Sequence, residues 1–159
     1  LTSVGLFFCV NFCKNYIIGV IPVVKNTVNT IVVILTENST VYDPIYLFRF
    51  TNQQSLTDYY FISIDTSQFK NRYNEFQLEE KPNADTLAGE VTLGNEGFYN
   101  YIVYQTDLLS LSGLTEASEA VPNIVKEVEN GLVYVVMTAQ TNITYTPPTV
   151  STIVYQPTN

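Results

Sequence analysis

The feature that most constrains the fold of this chain is a turn that leads directly into an alternating aromatic strand, at residues 95–105. The stretch reads Asn-Glu-Gly-Phe-Tyr-Asn-Tyr-Ile-Val-Tyr-Gln. Gly97 permits backbone angles that other residues adopt only with strain, and the Asn two residues before it is typical of turns. Tyr99 and Tyr101 fall on one face of the strand because side chains alternate along it. The stretch therefore predicts a tight corner followed by a half-buried strand.

This pattern is typical of the corner before the sixth strand of an immunoglobulin-like sandwich. In that fold a Tyr near the start of the strand bonds through its hydroxyl to the backbone of the corner, and antibody domains place a Cys two residues later. Tyr99 and Tyr101 occupy these two positions. We therefore expect Gly97, Tyr99 and Tyr101 to form a structural corner, with the Tyr99 hydroxyl bonded to the backbone of residues 93–96.

The composition favours a compact β domain and disfavours catalysis. The chain has 12 Tyr and 9 Phe, which fit a half-buried pleated surface, and only 14% of its residues are charged. It contains no His, the commonest general base and transition-metal ligand. Adjacent acids such as Glu79 and Glu80 are expected on a solvated edge. The net charge of -8 disfavours binding to phosphate backbones. We expect no catalytic residues, cofactor, metal site or direct contact with nucleic acid.

Alternating residues and turn signals predict an all-β chain, with an immunoglobulin-like β-sandwich of about seven strands over residues 29–139. The predicted strands cover residues 30–37, 45–51, 58–65, 72–79, 89–93, 97–105 and 131–138. The long connection at 106–130 carries many Leu and Val residues. Because long connections in compact domains are usually structured or functional, we expect this one to pack a short helix or an extra strand against the sandwich.

Residues 140–159 are predicted to form an extended arm. Pro147 and Pro148 cannot donate hydrogen bonds to a strand ladder, and Ser, Thr and Asn dominate much of the rest. The residues after the two prolines are prone to form a strand, so the arm is expected to add to a sheet of a neighbouring subunit. The candidate interaction residues of this arm are Val150, Ile153, Val154 and Tyr155.

Residues 1–28 contain two apolar runs separated by a polar pair. Three interpretations remain open: an apolar arm docked on a neighbouring subunit, a poor membrane segment, or an over-extended reading-frame start. The membrane segment is the least favoured, because polar side chains within the runs are costly in lipid. Cys9 and Cys13 lack the further ligands of a zinc site and are interpreted as buried or incidental thiols. Since every predicted strand lies beyond this segment, we expect a chain that begins at Val28 to fold on its own.

Several predicted strands are apolar on both faces. In residues 58–65 and 97–105, aromatic and aliphatic side chains occur at consecutive positions, so both faces of each strand carry them. In a sandwich, one face of each sheet normally meets water. The excess of apolar side chains predicts that the outer faces are covered by the arms or by other subunits.

Four stretches together resemble small immunoglobulin-like virion proteins of tailed phages, including crAss-like phages of Bacteroidota. They lie at 44–52 (PIYLFRFTN), 72–76 (RYNEF), 93–104 (LGNEGFYNYIVY) and 128–133 (VENGLV). The resemblance covers about residues 29–137. It implies a structural protein of the particle, present in many copies or as a homo-oligomer, located in the virion at the capsid or tail surface, with no catalytic residues.

The leading functional expectation is an auxiliary or decoration protein that binds the major capsid protein and stabilises the head, without contact to a membrane. The alternatives are a host-facing adhesin or carbohydrate-binding module of a tail or fibre, and a connector or tail component. Fold alone does not choose among them. Apolar sheet faces and long arms favour assembly, whereas exposed aromatic side chains on loop tips favour glycan binding.

Overall fold

The structure is a computed structural model that describes residues 19–137. Eight strands and one 3₁₀ helix occur in this range. The strands are β1 (Val20–Val24), β2 (Val28–Val33), β3 (Tyr46–Asn52), β4 (Asp58–Ile62), β5 (Asn74–Glu80), β6 (Glu90–Val91), β7 (Gly97–Thr106) and β8 (Ile124–Val136), and the 3₁₀ helix is Ala117–Asn123. The predicted arm residues Val150, Ile153, Val154 and Tyr155 lie outside the described range, as do Cys9 and Cys13.

The strands form two mixed sheets that pack on one core. The first has five strands in the order β1-β8-β7-β3-β4, and the second has three in the order β2-β5-β6. β1 pairs with β8 and β6 pairs with β5 in parallel, while the remaining pairs are antiparallel. The all-β prediction is confirmed at this level. Each of the seven predicted strands overlaps an observed one, and β1 is an additional strand.

Aromatic rings fill the space between the sheets. Phe48 and Phe61 stack with ring centroids 4.9 Å apart, and Phe76 of the second sheet meets Phe48 edge-on at 4.9 Å. All three side chains are fully buried. Such pairs add about 0.5 to 1.5 kcal/mol each beyond the burial of their area. Tyr46, Phe48 and Phe50 alternate along β3 and are all buried, so they form the side of β3 that faces the core.

The predicted start of the domain at residue 29 is wrong for residues 20–28. β1 lies within the range assigned to an arm, and it pairs in register with β8 from Val20 to Val24. Val23 is fully buried in the core, while Pro22 faces the opposite side of the strand. The unbroken apolar run concealed this alternation, because Val and Pro on the outer side resemble core residues in the sequence alone.

The connection predicted at 106–130 contains the short helix that the sequence offered as one alternative, and its last residues belong to β8 rather than to an extra strand. The 3₁₀ helix occupies its middle, and β8 begins within it, at Ile124 rather than near Gly131. Gly131 lies inside the strand and makes room for a ring of the neighbouring strand, since a Cβ atom there would lie 2.7 Å from Tyr101 Cε1. The glycine that signals a strand start in the sequence is therefore a packing residue.

Candidate functional site

The residues predicted as a corner have structural roles. The hydroxyl of Tyr99 donates a 2.6 Å hydrogen bond to the carbonyl oxygen of Asn95, inside the range 93–96 that the sequence indicated. Tyr99 is fully buried, and this burial raises the pKa of its hydroxyl. Gly97 has a φ of +126°, and Tyr101 is buried beside Gly131. These side chains fix the start of β7 and are not presented to a ligand.

A buried carboxylate reinforces the same corner. Glu80 was expected on a solvated edge, but only 2% of it is exposed. Its Oε2 accepts a 2.8 Å hydrogen bond from the Asn26 backbone, and its Oε1 accepts one of 3.1 Å from the Leu93 backbone. Lys25 Nζ lies 3.8 Å from Glu80 Oε1 and donates to the carbonyl oxygens of Leu93 and Gly94. Glu80 therefore ties the turn after β1 to the corner before β7.

Among residues 19–137, the elements that pack on the outer face of the five-stranded sheet cover one part of it. In that part, Leu47 and Ile62 pack against Ala117 and Ala120 of the 3₁₀ helix, and all four are buried. The connection between β7 and β8 thus shields part of the apolar surface that the sequence placed on both sides of these strands. This part of the face needs no partner.

The other part, which we call the open face, carries aromatic side chains in contact with water. Pro22, Tyr134 and Phe98 are neighbours across β1, β8 and β7. The rings of Phe98 and Tyr134 lie 4.8 Å apart between centroids, and 42% and 40% of these residues remain exposed. Arg49, Ile102 and Leu132 are half-buried members of the open face. Tyr60 and Tyr104 mark its boundary, because they also pack against the covered cluster around Leu47 and Ile62.

Arg49 is the cationic centre of the open face. Its guanidinium carbon lies 5.6 Å from the centroid of the Tyr104 ring. Burial raises the pKa of the Tyr104 hydroxyl, and the charge of Arg49 opposes this shift. Arg49 Nε is buried and has no hydrogen-bond partner among residues 19–137. Arginine is enriched among the residues that contribute most to protein interfaces, and Arg49 combines a cation–π contact with one ring and an unused donor.

The sequence-based predictions did not single out Arg49. The signal was present in the alternation of residues 45–51, which sets Arg49 on the outer side. Phe98 and Tyr134 were likewise missed, because only the register between β7 and β8 brings them together. That register depends on β8 beginning at Ile124 and is not visible in either strand alone.

The described residues contain neither a metal site nor a membrane helix. No group of three or more His, Cys, Asp or Glu within residues 19–137 is arranged to hold a metal ion. In the same range, no helix has the length and apolar character needed to cross a bilayer. Comparison of the chain with protein-family models, curated proteins and solved structures finds no match.

Proposed function

We propose that the chain is a structural protein of a phage particle, most concretely an auxiliary or decoration protein that binds the assembled major capsid protein and reinforces the head. The observation that carries this proposal is the exposed pair Phe98 and Tyr134 on the open face, beside Arg49. The resemblance of residues 29–137 to small virion proteins supplies the kind of particle.

We also propose that the two sheets form an immunoglobulin-like sandwich. An immunoglobulin-like sandwich is supported by the parallel pairing of β1 with β8 and by the order β8-β7-β3 next to it. The hydrogen bond from Tyr99 to Asn95 also matches the tyrosine corner of that fold. In this proposal β7 corresponds to the sixth strand of an immunoglobulin-like domain, and β8 corresponds to its seventh. The open face is the outer side of the sheet that contains β7 and β8.

The physical argument for a protein partner is the composition of the open face. Tyr, Phe and Arg are enriched where alanine substitution most weakens protein complexes. Covering exposed apolar surface contributes roughly 25 cal/mol for each Å² removed from water. Phe98 and Tyr134 already contact each other, so little side-chain freedom remains to be lost when a partner covers them. These features support association of the open face with another protein.

Locating the protein in purified particles tests the proposal. Gold-labelled antibody against the chain is expected over the whole surface of the head, because a decoration protein follows the repeated capsid subunits. Label confined to one vertex would contradict the proposal and favour a connector. Label confined to the tail or its fibres would contradict it and favour the adhesin.

A binding experiment tests the surface itself. Particles that lack the protein are incubated with the full chain, and bound protein is measured after sedimentation. The Phe98→Asp variant is expected to bind at least about tenfold less than the parent chain. Leu109→Asp is the matched control, because Leu109 is fully exposed on the connection between β7 and β8 and lies outside the open face. Equal binding of all three proteins would contradict the role of the open face.

A further inference from the structure

A cleft separate from the open face lies between two loops. One loop joins β2 to β3 and the other joins β4 to β5. The cleft has a volume of about 460 Å³, which is in the range of small-molecule sites. Its lining combines polar and apolar surface and includes Thr36, Ser39, Tyr42, Asp43, Lys70 and Asn71.

The floor of the cleft is fixed by a buried amide. Asn74, of which 1% is exposed, accepts hydrogen bonds at Oδ1 from the backbones of Leu35 at 2.8 Å and Thr36 at 3.2 Å. Its Nδ2 donates to Asp65 Oδ2 at 2.8 Å. These contacts hold the start of the first loop against the second. Because both polar atoms of the Asn74 amide make these bonds, we assign Asn74 a structural role rather than a contact to a ligand.

A second buried amide anchors the first loop further along. Gln105 is fully buried, and its Oε1 accepts a 2.8 Å hydrogen bond from the Thr40 backbone while its Nε2 donates to Thr40 Oγ1 at 2.6 Å. Lys70 then joins the two loops through a 2.8 Å ion pair with Asp43. The loop is therefore held on both sides of its tip, at Thr40 and at Asp43.

The tip of this anchored loop presents an aromatic ring to water. Tyr42 is 98% exposed, so its ring is open to a ligand. Asp43, directly after it, has a φ of +48°, a left-handed conformation that is uncommon for residues other than glycine. Across the cleft, the Asn71 side chain forms no hydrogen bond within the described residues. A ring and an amide are thus both available on a preorganised frame.

We propose that this cleft binds a neutral oligosaccharide. Sugar rings have an apolar face of C–H groups and a rim of hydroxyl groups, so they match an exposed aromatic face with neighbouring polar side chains. The Tyr42 ring stacks on one sugar unit, and Asn71 exchanges hydrogen bonds with the hydroxyl groups of the next. This site is additional to the assembly role, since it uses no residue of the open face.

The charges of the cleft select against acidic sugars. Lys70 is neutralised by Asp43, and the carboxylate of Asp65 remains beside them. The whole chain also carries a net charge of -8. An anionic sugar would therefore meet repulsion both locally and at a distance.

The test measures binding of three neutral probes, cellohexaose, maltohexaose and chitohexaose, to the full chain by isothermal titration calorimetry. At least one probe is expected to bind with a Kd below about 5 mM. Tyr42→Ala is expected to weaken that binding about tenfold, whereas Tyr42→Phe keeps the ring and stays within about twofold of the parent. Leu109→Ala is the control, because Leu109 is equally exposed and does not line the cleft.

Two results would overturn the proposal. The first is the failure of all three probes to bind to a chain whose circular dichroism shows a folded β protein. The second is unchanged binding by Tyr42→Ala. A hexamer of galacturonic acid tests the charge argument, and binding as tight as that of the neutral probes would refute selection for neutral sugars.

Discussion

The Tyr99 hydroxyl provides the sharpest test at the level of a single residue. Tyr99→Phe keeps the buried ring but removes the 2.6 Å hydrogen bond to Asn95, so it should lower the free energy of unfolding by about 1 kcal/mol. Tyr99→Ala opens a cavity in the core and should cost about 3 to 5 kcal/mol. Urea unfolding followed by circular dichroism measures both. Tyr42→Phe is the control, because Tyr42 is exposed; unchanged stability of Tyr99→Ala would refute the corner.

The lowered pKa of Glu90 leads us to expect that the stability of the protein depends on pH. Its pKa is held below the ordinary value of 4.5, mainly by a hydrogen bond from Lys81 and also by one from the Asp85 backbone. A group with a lowered pKa in the folded state stabilises the protein above its unfolded pKa, and this stabilisation is lost as the pH falls through the folded pKa. The parent chain should therefore have a higher free energy of unfolding than Glu90→Gln, and the difference should be constant near neutral pH.

Below pH 4.5 that difference should shrink, and it should vanish once Glu90 is protonated in both states. Urea unfolding of both proteins over a series of pH values measures the difference. Glu96→Gln serves as a control, because Glu96 is an exposed acid on the turn before β7. A difference between the parent and Glu90→Gln that persists unchanged to the lowest pH would contradict the assignment.

At the scale of the elements, β1 is expected to add to stability, so a chain that begins at Val28 should fold less stably than one that keeps β1. A chain that begins at Val28 loses the parallel pairing of β1 with β8 and the burial of Ile21 and Val23. Burying two aliphatic side chains contributes roughly 3 to 6 kcal/mol. A chain that begins at Gly19 is the matched control, since it keeps β1. The midpoint of urea unfolding should be clearly lower for the chain beginning at Val28, and equal midpoints would show that β1 contributes little.

The elements also show what the sequence could and could not predict. β3, β4 and β7 were located to within a few residues, because each alternates and is bounded by turn residues. β1 was missed because its outer positions are apolar too, which hides the alternation. The early start of β8 was missed because Lys126, Glu127 and Glu129 are polar, although pairing with β7 holds them in the strand.

The candidate surface was predictable in part for the same reason. Alternation in β3 gives the side on which Arg49 lies, whereas the coverage of one part of the face depends on where the 3₁₀ helix packs. That packing joins residues far apart in the chain, and no local pattern encodes it. The cleft depends on Asn74 and Gln105, whose long-range hydrogen bonds are equally invisible in a single sequence.

On the scale of the whole molecule, the exposed aromatic pair of the open face and the anchor of the cleft lie toward opposite ends of β7. Phe98 stands near the start of this strand and belongs to the open face, while Gln105 near its end anchors the loop that carries Tyr42. Seven residues of extended chain separate Phe98 from Gln105 by roughly 23 Å. A protein bound over Phe98 and Tyr134 would therefore leave the cleft accessible to a sugar.

This separation predicts that the two activities can be removed independently. Phe98→Asp should lose at least about tenfold in binding to particles that lack the protein, yet bind the neutral oligosaccharide within about twofold of the parent chain. Tyr42→Ala should show the reverse, because its side chain contacts no residue of the open face. Sedimentation with particles and calorimetry with the sugar measure the two effects on the same protein preparations. If either substitution abolished both activities while the chain remained folded, the two surfaces would have to be a single site, and their assignment to separate ends of β7 would be wrong.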